Sequence, residues 1–215
     1  MNQTSSPSIL GSLRAVTPHR NVTFSEALQV AELQASKLAA QFVVDDGVHA
    51  HHIAGLPRIV VAYEDIGVSG MSHWNGSAWI ITVNKHDSVA RQRFTLLHEF
   101  KHIIDHGQSA RLYSGDRRRS AGEQAEAAAD YFAGCALVPK RQLKAAWGNR
   151  IQRISALADY FGVSEPAIRV RLAQTGLDAL RDEEPAARCA RPVSTPRSQP
   201  QRFTVRRPAY ARRYV

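Results

Sequence analysis

The sequence predicts an α+β fold, in which a small, mostly antiparallel sheet is followed by a series of helices. Three strand-like runs lie between residues 59 and 83, and the last two are joined through Asn75 and Gly76, a strong hairpin signal. Apolar residues recur with helical spacing, before and after the sheet, over 25–44, 88–106, 122–137 and 151–176.

Composition divides the chain into four segments. Residues 1–24 are polar and rich in Ser, Thr and Pro, which predicts a flexible N-terminal arm. The main domain is expected over 25–145, and a helical unit over 146–180. From 181 to 215, Pro, Arg, Ser and Gln replace aliphatic residues, which predicts a disordered tail.

The net charge of +9 is concentrated in that tail. Residues 186–215 contain eight arginines and no acidic residue, which leaves about +1 for residues 1–185. The body therefore lacks the broad basic surface of a dedicated nucleic-acid-binding protein, and nucleic acid is expected only as a weak partner of the tail.

We expect a cytoplasmic protein with no membrane partner. No apolar run approaches the roughly 20 residues that span a bilayer, and the N-terminal residues lack the apolar centre of a signal peptide. Cys135 and Cys189 are 54 residues apart, which argues against a disulfide framework.

A metal-binding pattern lies in the helix predicted over 88–106. His98 and His102 are one helical turn apart on one face, so both imidazoles can reach one zinc ion at about 2.0–2.1 Å. Glu99 projects beside them, where it can act as a general base without being a ligand. Zinc is the predicted metal, and a site of two histidines and a carboxylate also accepts manganese.

The third ligand is predicted on the next long helix. Position 108 is glutamine, which excludes the pattern with a third histidine ten residues after the first. Of the carboxylates available, Glu126 is the predicted ligand, with Glu123 in reserve. Asp130 lies four residues after Glu126, on the same side, and can accept a hydrogen bond from the far nitrogen of a histidine ligand.

Two further expectations concern the substrate. Tyr113, in the loop before the carboxylate helix, is a candidate oxyanion stabiliser, although packing is the commoner role of a single loop aromatic. An extended peptide is expected to pair with a free sheet edge, around Ala78–Val83.

Three segments carry a family resemblance. Residues 91–102 read R-Q-R-F-T-L-L-H-E-F-K-H, and residues 126–133 read E-A-A-A-D-Y-F-A, followed by L-V-P at 137–139. The third segment, from Leu157 to Ser164 with Arg171 and Leu172 beyond it, is similar to a helix-turn-helix unit. In this order the segments resemble the ImmA/IrrE-type metallopeptidases of bacteria, phages and mobile elements.

The resemblance implies a zincin-like metallopeptidase core, with zinc held by His98, His102 and Glu126 and with Glu99 as general base. It also implies a protein substrate, a helix-turn-helix transcriptional repressor whose cleavage relieves repression in a stress response or in phage or mobile-element control. Lys101 departs from the family's usual Gly, and Asp130 from its usual Asn.

Two other functions remain open at this point. Gly162 lies at the turn of the helix-turn-helix-like unit, and Arg169 and Arg171 follow on its second helix, so the chain could instead be a DNA-binding regulator assisted by its tail. A catalytically silent metal-binding sensor would carry the same metal ligands.

Overall fold

The computed structural model of the chain describes residues 8–42 and 46–177. The predicted α+β class is confirmed. The elements, in chain order, are α1 (Ile9–Arg14), α2 (Phe24–Phe42), α3 (Ala50–Ala54), β1 (Ile59–Glu64), β2 (Gly70–Trp74), β3 (Trp79–Asn84), α4 (Val89–Asp105), α5 (Ser109–Leu112), α6 (Ala121–Leu137), α7 (Lys140–Gly148), α8 (Ile154–Phe161) and α9 (Glu165–Thr175).

The sheet is mixed, so the expectation of a mostly antiparallel sheet is wrong. Strands β2 and β3 form the predicted antiparallel hairpin, but β1 pairs with β3 in parallel, and the strand order is β1-β3-β2. The connection from β1 to β2 crosses the end of β3, where the amide of Asn84 donates to the carbonyls of Ile66 at 2.7 Å and Val68 at 3.3 Å. Strand β3 is therefore paired on both sides, and β2 has a free edge.

The predicted flexible arm is wrong for residues 8–24. Leu13 of α1 is fully buried, and the guanidinium of Arg14 donates to the carbonyls of Ile103, at 2.7 Å, and Ile104, at 3.2 Å, at the C-terminal end of α4. Leu13 and Arg14 thus anchor α1 against the rest of the fold. Residues 1–7 and the tail predicted over 181–215 lie outside the described residues.

Helices α4 and α6 form where the sequence predicts them. Helix α4 begins at the cap of Ser88, whose hydroxyl accepts the Arg91 N–H, and it ends before Gly107, which has a φ of +80°. Helix α6 packs on α4 through aromatic contact between Phe100 and Phe132, whose ring centroids lie 6.5 Å apart. In the described stretches, no helix has both the length and the apolar character needed to cross a bilayer.

A buried ion pair lies inside α4. Lys101 is fully buried, and its ammonium donates to both carboxylate oxygens of Asp105, at 2.5 and 2.7 Å, and to the side-chain carbonyl of Gln34 at 2.9 Å. The Tyr113 hydroxyl also donates to Asp105. Burial lowers the pKa of Lys101, and the carboxylate of Asp105 opposes that shift. Lys101, the departure from the family's usual Gly, thus points into the protein interior.

Helices α8 and α9 form the predicted helical pair around Gly162, which has a φ of +59°. Their buried residues Leu157 and Leu172 belong to the same continuous apolar core as Phe100 of α4. The guanidinium of Arg93 donates to the carbonyls that end α8 at 3.0 and 2.9 Å. The expected boundary between residues 145 and 146 therefore does not coincide with a break in the core.

We predict that Lys101→Met lowers the free energy of unfolding by about 3–5 kcal/mol, because it leaves the carboxylate of Asp105 buried without its cation. The double variant Lys101→Met/Asp105→Leu should recover much of this loss, since it removes both charges. Urea denaturation in the presence of a chelator measures both values.

The matched control is Lys85→Met, because Lys85 is exposed and its replacement should change stability by about 0.5 kcal/mol or less. A single Lys101→Met variant as stable as the parent chain would show that the buried pair does not stabilise the fold.

Candidate metal centre

Three of the predicted metal ligands converge between α4 and α6. The Nε2 atoms of His98 and His102 lie 3.1 Å apart. The carboxylate of Glu126 approaches both, with 3.2 Å from Oε2 to Nε2 of His98 and 3.4 Å from Oε1 to Nε2 of His102. Among the described residues, these three form the one cluster of His, Cys, Asp or Glu with metal-binding geometry.

These separations fit a single zinc ion. Two donors bound to zinc at about 2.0–2.1 Å with a tetrahedral angle lie about 3.3–3.4 Å apart. The three observed distances lie near that value, with the two from Glu126 starting from different carboxylate oxygens, and two imidazole nitrogens with a carboxylate oxygen are a donor set typical of zinc. Three protein donors leave a fourth coordination position for water or substrate. The side chain of Glu126 is exposed, so solvent can reach the cluster from this side.

Asp130 contacts the ring of His98 at Nδ1, the nitrogen that does not face the cluster. Its Oδ1 lies 2.9 Å from Nδ1 of His98. A carboxylate there accepts a hydrogen bond from protonated Nδ1, which leaves Nε2 unprotonated and directed at the cluster. Glu126 and Asp130 are one turn apart on α6, so one helix supplies both a direct donor and a partner for His98.

Glu123 has a different role from that of a reserve ligand. Ser120 and Glu123 form a capping box at the start of α6, in which a Glu123 oxygen accepts from the Ser120 N–H at 2.7 Å and from its hydroxyl at 2.9 Å. These hydrogen bonds lower the pKa of Glu123. Its carboxylate therefore caps the N-terminal end of α6 and does not join the metal cluster.

The neutral form of His102 is favoured by its surroundings. Burial lowers the pKa of His102, and the neighbouring His98 lowers it further, while Glu126 and Glu99 oppose the shift. Because only a neutral imidazole offers a lone pair to a metal, this lowered pKa suits His102 as a ligand near neutral pH.

Glu99 is oriented by a residue that sequence reasoning missed. The hydroxyl of Ser72, on β2, donates to Oε2 of Glu99 at 2.8 Å. The two residues lie 27 positions apart on different elements, so no local pattern connects them. The available signal was strand alternation, which places Ser72 on the same face of β2 as Gly70.

Gly70 allows β2 to approach α4 closely. A β-carbon at this position would lie 2.3 Å from Cγ2 of Thr95 and 3.5 Å from Cγ of Glu99. Any side chain would therefore push the strand away from the helix that carries Glu99. The edge of β2 consequently runs along the cleft.

The cleft has a volume of about 580 Å³. It is lined by Val68, Ser69, Gly70, Arg91, Phe94, Thr95, His98, Glu99, Glu126 and Asp130.

Tyr113 is not brought into this cleft. It is buried, and its hydroxyl donates to Asp105 in the network around Lys101. Burial and the negative charge of Asp105 raise the pKa of Tyr113. The side chain thus packs and closes a buried polar network, and the expected oxyanion role has no support from its position. His106 likewise faces elsewhere, with its ring edge against Trp79 at 4.9 Å.

A two-histidine helix, completed by a carboxylate from a second helix beside a small sheet, defines a metallopeptidase-type domain. Residues 57–173 match the IrrE N-terminal-like domain of peptidase family M78. This match covers more than half of the chain, and the chain belongs to that family. The matched region also crosses the expected domain boundary and includes most of α9.

A solved structure of similar fold is a Mycobacterium tuberculosis transcriptional regulator. The TM-score is 0.59 and the sequence identity is 18%, over 78% of this chain and 52% of that protein. At this identity the likeness shows the fold alone, and the chain spans about half the length of the regulator. No curated protein gives a significant match to the sequence.

We predict that Asp130→Ala weakens zinc binding by about 10–100-fold, because the ring of His98 loses the group that sets its tautomer and orientation. Asp130→Asn should weaken zinc binding less, since its amide oxygen can still accept a hydrogen bond from Nδ1 of His98. Zinc titration in competition with a chromophoric chelator measures the affinities.

Asp159→Ala is the control, because Asp159 is an exposed carboxylate on α8. Parent-like zinc affinity in Asp130→Ala would refute the role of Asp130.

Proposed function

We propose that the chain is a zinc-dependent endopeptidase in which His98, His102 and Glu126 hold the metal and Glu99 is the general base. The observation that carries the proposal is the convergence of these three donors beside Glu99 in an open cleft. When bound, zinc supplies Lewis acidity, which lowers the pKa of water and polarises a carbonyl group. Manganese suits the same donors and is the alternative metal.

Glu99 has the proton-transfer role in this proposal. Its carboxylate takes a proton from the attacking water and later delivers it to the leaving amine. Ser72 engages Oε2, so we assign the proton transfer to Oε1. Ser72 is therefore a positioning residue, which acts through Glu99.

The peptide substrate binds along β2. The sequence expectation placed it on the edge around Ala78–Val83, but that strand is β3, which is paired with β1 and with β2. The free edge beside Glu99 belongs to Gly70–Trp74. An extended peptide that adds to this edge satisfies its main-chain groups and lies with one bond near the metal donors.

The substrate that we propose is a helix-turn-helix transcriptional repressor, whose cleavage relieves repression. Support for this class comes from the resemblance to ImmA/IrrE-type peptidases and from membership of the IrrE N-terminal-like family. The cleft itself supports the coarser statement that the substrate is a peptide chain.

Direct DNA recognition by α9 has less support. Arg171 is buried, and its Nε donates to the carbonyl of Val138 at 3.2 Å. Arg169 is paired with Glu165 at 3.6 Å. Neither guanidinium is presented as a free phosphate contact. The catalytically silent sensor shares the metal ligands, and a cleavage assay separates it from a peptidase.

We predict that Glu99→Gln retains zinc affinity and lowers the cleavage rate by about 10²–10⁴-fold, because the amide cannot accept the proton. Ser72→Ala should have a smaller effect of the same kind, since Glu99 keeps its basicity but loses its orientation. The assay uses the zinc-loaded full chain and a library of quenched fluorescent peptides.

Ser77→Ala, in the hairpin turn, is the control for loss of a hydroxyl near the sheet. Undiminished cleavage by Glu99→Gln would exclude Glu99 as the base. Zinc binding without cleavage of any peptide or of a repressor would favour the silent sensor.

A further inference from the structure

An apolar groove continues from the metal cleft. Its volume is about 490 Å³, and helices α2, α6 and α9 form its walls. The apolar side chains that define it are Phe24, Leu28, Ala127, Tyr131, Ala167 and Val170.

The groove and the metal cleft are continuous. Phe94 and Asp130 line both, and the same Asp130 contacts the ring of His98. A peptide held beside the metal donors can therefore extend into the groove along the protein surface. This continuity places the groove next to the bond that the proposed peptidase would cleave.

Helix α9 presents two distinct faces. Ile168 and Leu172 are buried in the core, while Val170 is 55% exposed and lines the groove. Arg171 stabilises this orientation, since its Nε donates to the carbonyl of Val138 at 3.2 Å, while Nη1 donates to Gln174 within α9 at 2.8 Å. The second helix of the helix-turn-helix-like pair thus supplies an apolar wall beside the cleft.

Exposed arginines lie at one end of the groove, outside the metal cleft. Arg119 is exposed and stacks over the ring of Phe24 at 5.3 Å, and it follows the exposed Arg117 and Arg118. At the cleft end, Arg91 stacks on Phe94 at 5.7 Å, and Glu99 and Glu126 line the cleft beside it, so this end is not cationic. The acidic side chain that lines the groove, Asp130, is engaged with His98. An apolar floor that ends at exposed arginines is complementary to an apolar segment with carboxylates on the side away from the metal cleft.

We propose that this groove selects the substrate, and that its occupant is an apolar segment of the substrate polypeptide with acidic residues on the side away from the metal cleft. The inference rests on the proposed function only in placing the scissile bond at the metal cleft. Binding of the segment itself requires no cleavage, so the two proposals are tested separately.

The test uses the zinc-loaded full chain carrying Glu99→Gln, which cannot consume the probe. The probe is a fluorescein-labelled peptide, Glu-Asp-Leu-Phe-Leu-Leu-Asp-Glu, and its binding is measured by fluorescence anisotropy. Two comparison peptides replace the four central residues by Ser or the four acidic residues by Lys. The parent probe should bind at least about tenfold more tightly than the Ser peptide, because a buried side chain of this size contributes that much.

Val170→Asp should weaken binding of the parent probe by about tenfold or more, because it introduces a charge into the apolar wall. Leu33→Asp is the matched control, since Leu33 is a 60% exposed leucine on α2 and does not line the groove. Arg119→Ser should weaken the acidic probe several-fold and reduce its dependence on salt. Val170→Ser serves as the milder variant if circular dichroism shows that Val170→Asp is not folded.

Equal binding of the apolar and Ser peptides, or no measurable binding of the parent probe, would overturn the groove proposal. Unchanged binding in a folded Val170 variant would do the same. Failure of the proposed function has a different signature: the parent probe binds and responds to Val170→Asp, while the chain without Glu99→Gln cleaves no peptide.

Discussion

The rotation of α4 about its own axis determines which of its side chains face the core and which face the metal cleft. The buried ion pair of Lys101 and Asp105 fixes that rotation. A buried ammonium is stabilised only while its partners surround it, so the helix cannot turn without large cost. The carbonyl of Gln34 and the hydroxyl of Tyr113 complete the network, which ties α2 and the segment before α6 to α4. With this face held inward, His98 and His102 are held toward the cleft.

The other half of the metal centre depends on the distance between α4 and α6. Small residues such as Ala129 and Ala133 are fully buried on α6, which allows close packing with its neighbours. That packing sets the register in which Glu126 meets both histidines and Asp130 meets only His98. The packing of α4 against α6 therefore brings the ligands together. The four-residue spacing within each helix places its two site residues on one face.

Local patterns predicted much of this arrangement. The spacing of His98 and His102, and that of Glu126 and Asp130, is helical and can be read from a few neighbouring residues. Nothing local indicated that β1 would pair with β3, because the crossover depends on an Asn84 side chain reaching a loop 16 and 18 residues earlier. The contact of Ser72 with Glu99 was missed for the same reason. For Tyr113, the sequence favoured packing over an oxyanion role, but it gave no sign of the hydrogen bond to the buried Asp105.

Gly162 has two physical requirements placed on it at once. Its positive φ ends α8, and a β-carbon there would lie 2.5 Å from Nη1 of Arg93, the atom that donates to the carbonyls of Phe161 and Gly162. Pulling α8 away would leave Nη1 of this half-buried guanidinium without its acceptors, while Nη2 would keep the carbonyl of Val48 at 3.4 Å. The groove wall formed by α9 is consequently preorganised. Little conformational entropy of the protein is therefore lost when a ligand binds against it.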